Sequence, residues 1–249
     1  PEVLISIALL SLISIGGVFL YKKIAINFGI IANPNFRSLH ELPVPRGGGV
    51  MFSLFFTFFL VILWVFNSLS DQIFYLVGVG GLLAAIFGFI DDIKNISARF
   101  KLVVQFLLAV WAVYWLFKEI SHLWNWLPFC IVIATCLFFM LWVINAYNFM
   151  DGVDGMAASG AIFSTLTLAV VLYLTGGSIV LISILIFIAT TVSGFLVFNW
   201  APATVFMGDS GSFFIGFSVI TLLISGSQIS SNILSQNTGQ AFRPVTALW

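Results

Sequence analysis

The stretch Ser178–Phe198 reads SIVLISILIFIATTVSGFLVF and contains no charged residue. A helix needs about 20 apolar residues to cross the hydrocarbon core of a bilayer, and this stretch has that length. A helix also satisfies its backbone N–H and C=O groups internally, as a lipid environment requires. We therefore predict a membrane-spanning helix here, and the fold class depends on how often the pattern recurs.

The pattern recurs throughout the chain. Charged residues make up 7% of the 249 residues, hydrophobic residues make up 61%, and the mean hydropathy is +1.16. Such a composition indicates an all-α fold, a polytopic transmembrane helical bundle of about eight spans forming a single integral-membrane domain over residues 1–249. The other predicted spans are Val3–Tyr21, Val50–Phe66, Gln72–Ile90, Leu102–Phe117, Trp126–Ile144, Met156–Leu174 and, shorter than the rest, Phe213–Ile224.

Lysine and arginine are distributed unequally between the two sides of these spans. Only Lys118 and Arg243 fall on one side, and the remaining basic residues fall on the opposite side. By the positive-inside rule, the side rich in Lys and Arg is cytoplasmic. The N-terminus is therefore expected outside. The formal net charge is zero, so a nucleic-acid partner is not expected. The basic side carries Lys22, Lys23, Arg37, Arg46, Lys94, Arg99 and Lys101.

Four polar islands interrupt the apolar sequence, and the same alternation of spans places all of them on the cytoplasmic side. The last three contain five of the nine acidic residues, which makes an active site on one face the leading interpretation. The islands are Asn33–Gly49, Asp91–Lys101, Asn145–Gly155 and Ala201–Ser212.

The two central islands offer oxygen ligands. Asp91 and Asp92 end the third span, where a carboxylate pair indicates either a metal or phosphate site or a helix cap at the interface. In the next island, Asn and Asp recur at steps of three, a spacing typical of one side of a helix that ends in an Asn/Asp/Gly turn. Such a row provides hard ligands for Mg²⁺, although a polar helix terminus would have the same composition. Its members are Asn145, Asn148, Asp151 and Asp154.

The two outer islands are rich in glycine. Phe206–Ser212 reads FMGDSGS and opens the eighth span, where free N–H groups would favour an anion and Ser210 or Ser212 could cap the helix. Arg46 precedes three consecutive glycines just before the second span, so contact between Arg46 and a phosphate is expected. His40 is interpreted as an interfacial histidine rather than a ligand.

In this order, the motifs PRGGG (45–49), DD (91–92), NxxNxxDGxDG (145–155) and FMGDxGS (206–212) resemble those of the polyprenyl-phosphate N-acetylhexosamine-1-phosphate transferases. The resemblance covers nearly the whole chain. It implies a bacterial inner-membrane enzyme that transfers a HexNAc-1-phosphate from a UDP-amino sugar to undecaprenyl phosphate and releases UMP. GlcNAc-1-phosphate is the favoured group, for O-antigen, enterobacterial common antigen or teichoic-acid linkage. A one-step displacement is preferred to a covalent aspartyl intermediate.

The resemblance also implies roles for individual residues. Asn148 and Asp209 match the positions that hold Mg²⁺, with Mn²⁺ as a substitute, and Lys101 matches a lysine that contacts the pyrophosphate. The family's essential carboxylate pair corresponds to Asp91, the candidate base or orienting group, and to Asp92 in support. The other matched positions bind substrate: Asp154 and Phe206 would recognise uracil, Asn145 and Asp151 are motif residues with less defined roles, and Arg46 would add positive charge near the phosphates.

The chain departs from the family pattern at its end. Members have roughly ten or eleven spans and a late cytoplasmic loop rich in His and Arg, whereas this sequence stops at Ala241–Trp249, where a ninth span would begin. A C-terminally truncated chain is therefore expected, and it should be inactive or nearly so. Other sugars remain open, namely FucNAc, QuiNAc or phospho-MurNAc-pentapeptide, as does a homodimer. A cation-coupled transporter is a remote alternative, because its acidic residues should lie in the middle of spans.

Overall fold

The computed structural model describes residues 2–34, 42–118 and 126–238. In these ranges, eight apolar helices account for most of the chain, and an antiparallel pair of two-residue strands, β1 (Ile31–Ala32) and β2 (Val44–Pro45), joins the first two. The helices are α1 (Glu2–Phe28), α2 (Gly49–Val65), α3 (Asp71–Lys94), α4 (Ala98–Phe117), α5 (Trp126–Met150), α6 (Met156–Leu174), α7 (Ile179–Asn199) and α8 (Gly208–Thr238).

Seven of these helices are long and apolar enough to cross a membrane, and α2 is a shorter apolar helix. Large apolar side chains cover the outside of the bundle, including Phe138, Phe163 and Val197, each more than 60% exposed. Such a surface suits lipid rather than water. The all-α polytopic bundle predicted from the sequence is confirmed. Of the predicted positions, Arg37, His40 and Ala241–Trp249 lie outside the described residues.

The largest difference from prediction concerns the last span. The sequence predicts a short span at Phe213–Ile224, whereas α8 begins at Gly208 and continues to Thr238. It is also the most buried candidate span, with 83% of its apolar window inside the bundle against 17% for α1. The glycines and serines of its first turns lower its hydropathy, yet their small size allows close packing by α2, α3 and α5.

Two glycines allow the start of α8 to approach its neighbours at backbone distance. A β-carbon on Gly88 of α3 would meet the carbonyl of Asp209, and one on Gly49 of α2 would meet the backbone of Gly211. Below this level, phenylalanines fill the core, with Phe56 packing edge-on against Phe214 at a centroid distance of 5.2 Å. The helix start is therefore held between α2 and α3 at one end of the bundle.

Candidate functional site

The four polar islands meet at this end of the bundle. Arg46 of the first island bonds to Asp92 of the second, whose carboxylate also accepts from the backbone of Asp209 in the fourth. Asn148 of the third island donates to the Asp209 side chain. The convergence predicted by counting spans is confirmed in the described part of the chain.

Asp209 is the centre of a small cluster of charged and polar side chains. Its Oδ2 accepts from Lys101 Nζ at 2.7 Å, and its Oδ1 accepts from Asn148 Nδ2 at 2.8 Å. Lys101 also forms an ion pair with Asp91. The side chains of Lys101 and Asp209 are 26% and 14% exposed, whereas that of Asp91 is 1% exposed. A ligand would therefore reach Lys101 and Asp209 first, with Asp91 behind them.

Asp91 is oriented by the turn that follows α3. Its Oδ1 accepts a hydrogen bond from the backbone N–H of Ile96 at 2.6 Å, while Oδ2 is the atom paired with Lys101. Asn95 ends α3 in the left-handed conformation and directs the chain towards α4, which carries Lys101. The short turn between two helices thus places Asp91 beside Lys101.

The start of α8 contradicts one prediction. The free N–H groups expected there to bind an anion are already occupied by carboxylates from other helices and turns. Gly208 N donates to Asp151 Oδ2 at 2.9 Å, while Asp209 N and Ser210 N donate to Asp92 Oδ1 and Oδ2 at 2.9 and 3.1 Å. In the described residues, Asp92 and Asp151 cap this helix, rather than Ser210 or Ser212, and the prediction of an anion site formed by these N–H groups is wrong.

Arg46 lies against Asp92, and its side chain is 25% exposed. Its Nε and Nη2 donate to Asp92 Oδ1 at 3.1 and 2.7 Å, and the Asp92 side chain has no exposed surface. Burial alone would lower the pKa of Arg46, but the Asp92 carboxylate outweighs it, so the pKa of Arg46 is raised. The guanidinium stays charged and is directed towards a carboxylate, whereas the sequence analysis expected it to contact phosphate.

The glycines after Arg46 bond to the loop before α8. Gly48 N and Gly49 N donate to the carbonyls of Phe206 and Met207, both at 2.9 Å, and Phe206 N donates to the Pro45 carbonyl at 2.8 Å. Backbone hydrogen bonds from the first island therefore hold the fourth island in place.

A hydrogen bond from the third island also holds the loop before α8. Asp154, which is exposed, accepts from the backbone N–H of Ala203 at 2.9 Å through Oδ2. Asp154 and Phe206 are thus both connected to the loop before α8.

Two further polar residues were missed by the sequence analysis. Gln105 of α4 is 1% exposed and accepts from Asn145 Nδ2 at 2.8 Å. Asn199, 3% exposed, accepts from Gly155 N and donates to the Val205 carbonyl. Gln105 could have been found because it is one helical turn beyond Lys101 in an otherwise apolar span. Asn199 lies two residues before the fourth island.

The charges of the site favour a cation. Two cationic side chains, Arg46 and Lys101, face four carboxyl groups that are bonded within the same network, so a negative charge remains even when Asp151 is protonated. Burial raises the pKa of Asp151 well above its ordinary value, and the nearby charges of Asp92 and Asp209 raise it further.

The donor atoms suit one kind of metal ion better than others. No group of three or more His, Cys, Asp or Glu side chains in the described ranges is arranged to hold a metal. Carboxylate and amide oxygens in small number fit Mg²⁺, which retains water and substrate oxygens, better than zinc. Asn148 directs its amide nitrogen towards Asp209, so coordination through its oxygen would require that amide to turn.

The chain is similar both to a protein family and to individual known proteins. Residues 74–227 match the family model described as glycosyl transferase family 4. The chain is similar to a probable undecaprenyl-phosphate N-acetylglucosaminyl 1-phosphate transferase of Bacillus subtilis, with 29% identity over 86% of this chain and 60% of that protein.

Enterobacterial relatives match over more of the chain. The undecaprenyl-phosphate alpha-N-acetylglucosaminyl 1-phosphate transferase of Yersinia pestis is 30% identical over 96% of this chain and 64% of its own length. The Escherichia coli K12 protein of the same name is 29% identical over 93% of this chain and 62% of its own length. The chain thus spans about three fifths of the length of these curated relatives.

Proposed function

Because this chain belongs to glycosyl transferase family 4, we propose that it is part of an enzyme that transfers a HexNAc-1-phosphate from a UDP-amino sugar to undecaprenyl phosphate. The family resemblance inferred from the four motifs is confirmed by the match over residues 74–227. The acceptor follows from the names of the relatives, which specify undecaprenyl phosphate. The product would be undecaprenyl-diphospho-HexNAc, with UMP released.

The observation that carries the proposal is the cluster of Asp209, Asn148, Lys101 and Asp91 at one end of a membrane bundle. A lipid phosphate can reach this end from the bilayer and a nucleotide can reach it from water. A transporter would place its carboxylates in the middle of spans. Here Asp91 lies at the end of α3 and Asp209 at the start of α8, so the structure gives that alternative no support.

In the proposed reaction, an oxygen of the lipid phosphate forms a bond to the phosphorus that carries the sugar. The bond from that phosphorus to the UMP oxygen breaks, and UMP leaves with the electron pair. A lipid phosphate is largely ionised at neutral pH, since its second pKa is near 6 as in other phosphate monoesters. Asp91 is therefore proposed to orient the acceptor through Lys101 rather than to remove a proton.

Lys101 is proposed to exchange partners during binding. Its ammonium group bonds to Asp91 and Asp209, and it is the more exposed member of both pairs. An incoming diphosphate would offer it acceptors of the same kind, since bonds from an ammonium group to carboxylate and to phosphate are both charge-assisted. Lys101 would then stabilise the charge that develops on the departing UMP.

Mg²⁺, with Mn²⁺ as a substitute, is proposed to bind at Asp209 and Asn148. When bound, it would supply the positive charge that neutralises the diphosphate. The excess of carboxylates in the network supports this, because a site with net negative charge has to bind two anionic substrates.

Asp154 and Phe206 are proposed to recognise the uracil ring by hydrogen bonding and stacking. Support comes from their attachment to the same loop, Asp154 through Ala203 N and Phe206 through its backbone bonds to Pro45 and Gly48. Asn145 is proposed to support Asn148 from one turn further into α5, where Gln105 holds its side chain.

GlcNAc is the proposed sugar, because the three relatives are named for N-acetylglucosaminyl 1-phosphate transfer. FucNAc, QuiNAc and phospho-MurNAc-pentapeptide are the alternatives. The proposed location is a bacterial inner membrane, with the site on the cytoplasmic face and the N-terminus outside, as the distribution of Lys and Arg indicates.

The test uses membranes that carry the complete gene product. Labelled UDP-GlcNAc and undecaprenyl phosphate are supplied with Mg²⁺, with Mn²⁺ or with a chelator, and the lipid product is identified by mass spectrometry. We expect undecaprenyl-diphospho-GlcNAc with either metal and none with the chelator. Formation of the product from another UDP-sugar alone would change the assigned sugar, and no product from any UDP-sugar would refute the function.

A further inference from the structure

The first turn of α8 depends on residues that were predicted to act in the reaction itself. A helix begins with N–H groups that have no acceptor within the helix. In α8 the N–H groups of Gly208, Asp209 and Ser210 donate to Asp151 and Asp92. The donors and acceptors are 57, 117 and 118 positions apart in sequence, so these bonds join separate parts of the bundle.

The oxygens of Asp92 are fully engaged. Oδ1 accepts from Arg46 Nε, Arg46 Nη2 and Asp209 N, and Oδ2 accepts from Ser210 N. The side chain has no exposed surface, so a substrate cannot reach either oxygen. A buried carboxylate with one cationic partner and two backbone donors is satisfied where it lies. Asp92 is thus arranged to hold a helix terminus.

The backbone at this point leaves little room for another arrangement. Gly208 has a φ of +75°, and a β-carbon on it would lie 2.5 Å from Asp92 Oδ2. Glycine is the residue that adopts this conformation without strain, and here it also admits the carboxylate. Asp209 follows immediately, so the direction of its side chain depends on how this turn is held.

We propose that Asp92 and Asp151 are positioning residues that hold the first turn of α8 so that Asp209 faces Lys101 and Asn148, and that Arg46 holds the Asp92 carboxylate in place. The activity measurements that test this proposal rest on the proposed transferase function. The proposal removes Asp92 and Asp151 from direct contact with substrate and assigns them, with Arg46 as the partner of Asp92, to the geometry of Asp209.

Asp151 allows a sharp test because one oxygen accepts one backbone donor, Gly208 N. Asp151→Asn retains an oxygen acceptor and should keep at least about a tenth of wild-type kcat, whereas Asp151→Leu retains none and should lose about 100-fold, as a misplacement of about 1 Å can cause. KM for the UDP-sugar should change little in both variants. A residue that binds metal or substrate through its charge would lose activity equally in both.

Asp92 and Arg46 are tested as a pair. Asp92→Asn leaves Arg46 facing an amide, and the additional change Arg46→Gln removes that partly buried, unpaired charge. We expect the double variant to be several-fold more active than Asp92→Asn alone. A carboxylate that acts on substrate could not be rescued in this way, so absence of rescue would overturn the assignment of Asp92.

A second measurement separates this proposal from the transferase function. Hydrogen–deuterium exchange of peptides covering Phe206–Ser212 should accelerate in Asp151→Leu and stay at the wild-type rate in Asp151→Asn, whether or not the protein transfers a sugar. No lipid product from wild type would refute the function and leave this exchange test in force. If Asp151→Leu does not fold, Asp151→Asn decides: thermal stability and exchange equal to wild type, with less than about 1% of its activity, would overturn the positioning role.

Discussion

One ammonium group, that of Lys101, is shared between two carboxylates at the exposed edge of the cluster. Removing it would leave Asp91 and Asp209 facing each other with little solvent to screen them. In Lys101→Met we expect a fall in transfer of at least about 100-fold, the cost of removing one donor that stabilises developing charge. The measurement is product formation in membranes at saturating substrate.

The matched control for this prediction is Arg99→Met. Arg99 is exposed and begins the same helix two residues earlier, so its replacement removes the same formal charge from the same end of the bundle. It should keep activity near that of wild type. Equal activity of the Lys101 and Arg99 variants would show that Lys101 contributes only general positive charge.

Gln105 and Asn145 form a polar contact between α4 and α5 below the cluster. In a membrane protein such a contact contributes about 0.6 kcal/mol on average. We expect a coupling of about that size in a double-mutant cycle of Gln105→Leu and Asn145→Leu, measured by thermal unfolding in detergent. Additive effects of the two changes would indicate that the contact does not stabilise the fold.

Much of the site could be predicted at the residue scale, because span counting needs only hydropathy and the positions of Lys and Arg. It placed the islands that contain Asp91, Lys101, Asn148 and Asp209 on one face, the family resemblance singled out these residues, and their contacts show that they are neighbours. The partners of individual atoms could not be predicted in this way. Whether an α8 N–H group is free depends on a carboxylate more than 50 positions away in sequence. The residues around the helix start therefore do not predict whether that N–H group is bonded.

At the scale of single elements, hydropathy located seven helices, although α1 and α5 continue seven and six residues past their predicted ends, and it underestimated α8 most. Its first turns, GDSGS, resemble a loop in composition, so the predicted span began at Phe213 instead of Gly208. Small residues there serve packing, since Gly211 lies against Gly49 and the Asp209 backbone lies against Gly88. Hydropathy identifies the apolar segments of a sequence, but it does not predict how closely the backbones of two helices approach.

The close contact at Gly88 leads to a prediction for α3. An alanine there would place its methyl group against the Asp209 carbonyl, which would push apart α3 and the start of α8. We expect Gly88→Ala to destabilise the protein by about 1–3 kcal/mol through overpacking and to reduce transfer by displacing Asp209. Thermal unfolding and product formation would be measured together.

Gly16 provides a matched control in another helix. A β-carbon at Gly16 of α1 would meet no atom within 4 Å, so Gly16→Ala tests the general effect of alanine in an apolar helix. Its stability should equal or slightly exceed that of wild type, since alanine is the better helix former. If Gly88→Ala behaves like Gly16→Ala, the approach of α3 to α8 is not limited by the absent side chain.

At the scale of the whole molecule, the bundle has two unlike ends. One end carries the cluster and the exposed residues Lys94 and Arg99. The other carries the turn after α2, where the Trp64 indole donates to Asp71 and stacks on Phe74 at a centroid distance of 4.5 Å. Aromatic rings of this kind are typical of the membrane–water interface. The two ends should therefore face different compartments.

Cysteine labelling can decide which end faces the cytoplasm. Ser68 and Lys94 are exposed at opposite ends, and each can be changed to cysteine after Cys130 and Cys136 are replaced by serine and alanine. In intact spheroplasts, a membrane-impermeant maleimide should label Ser68→Cys and leave Lys94→Cys unlabelled until the membrane is permeabilised. The expectation follows from seven of nine basic residues lying on the Lys94 side of the predicted spans. Labelling of Lys94→Cys in intact spheroplasts would place the cluster outside, where cytoplasmic UDP-sugars could not reach it, and the proposed function would fail with the orientation.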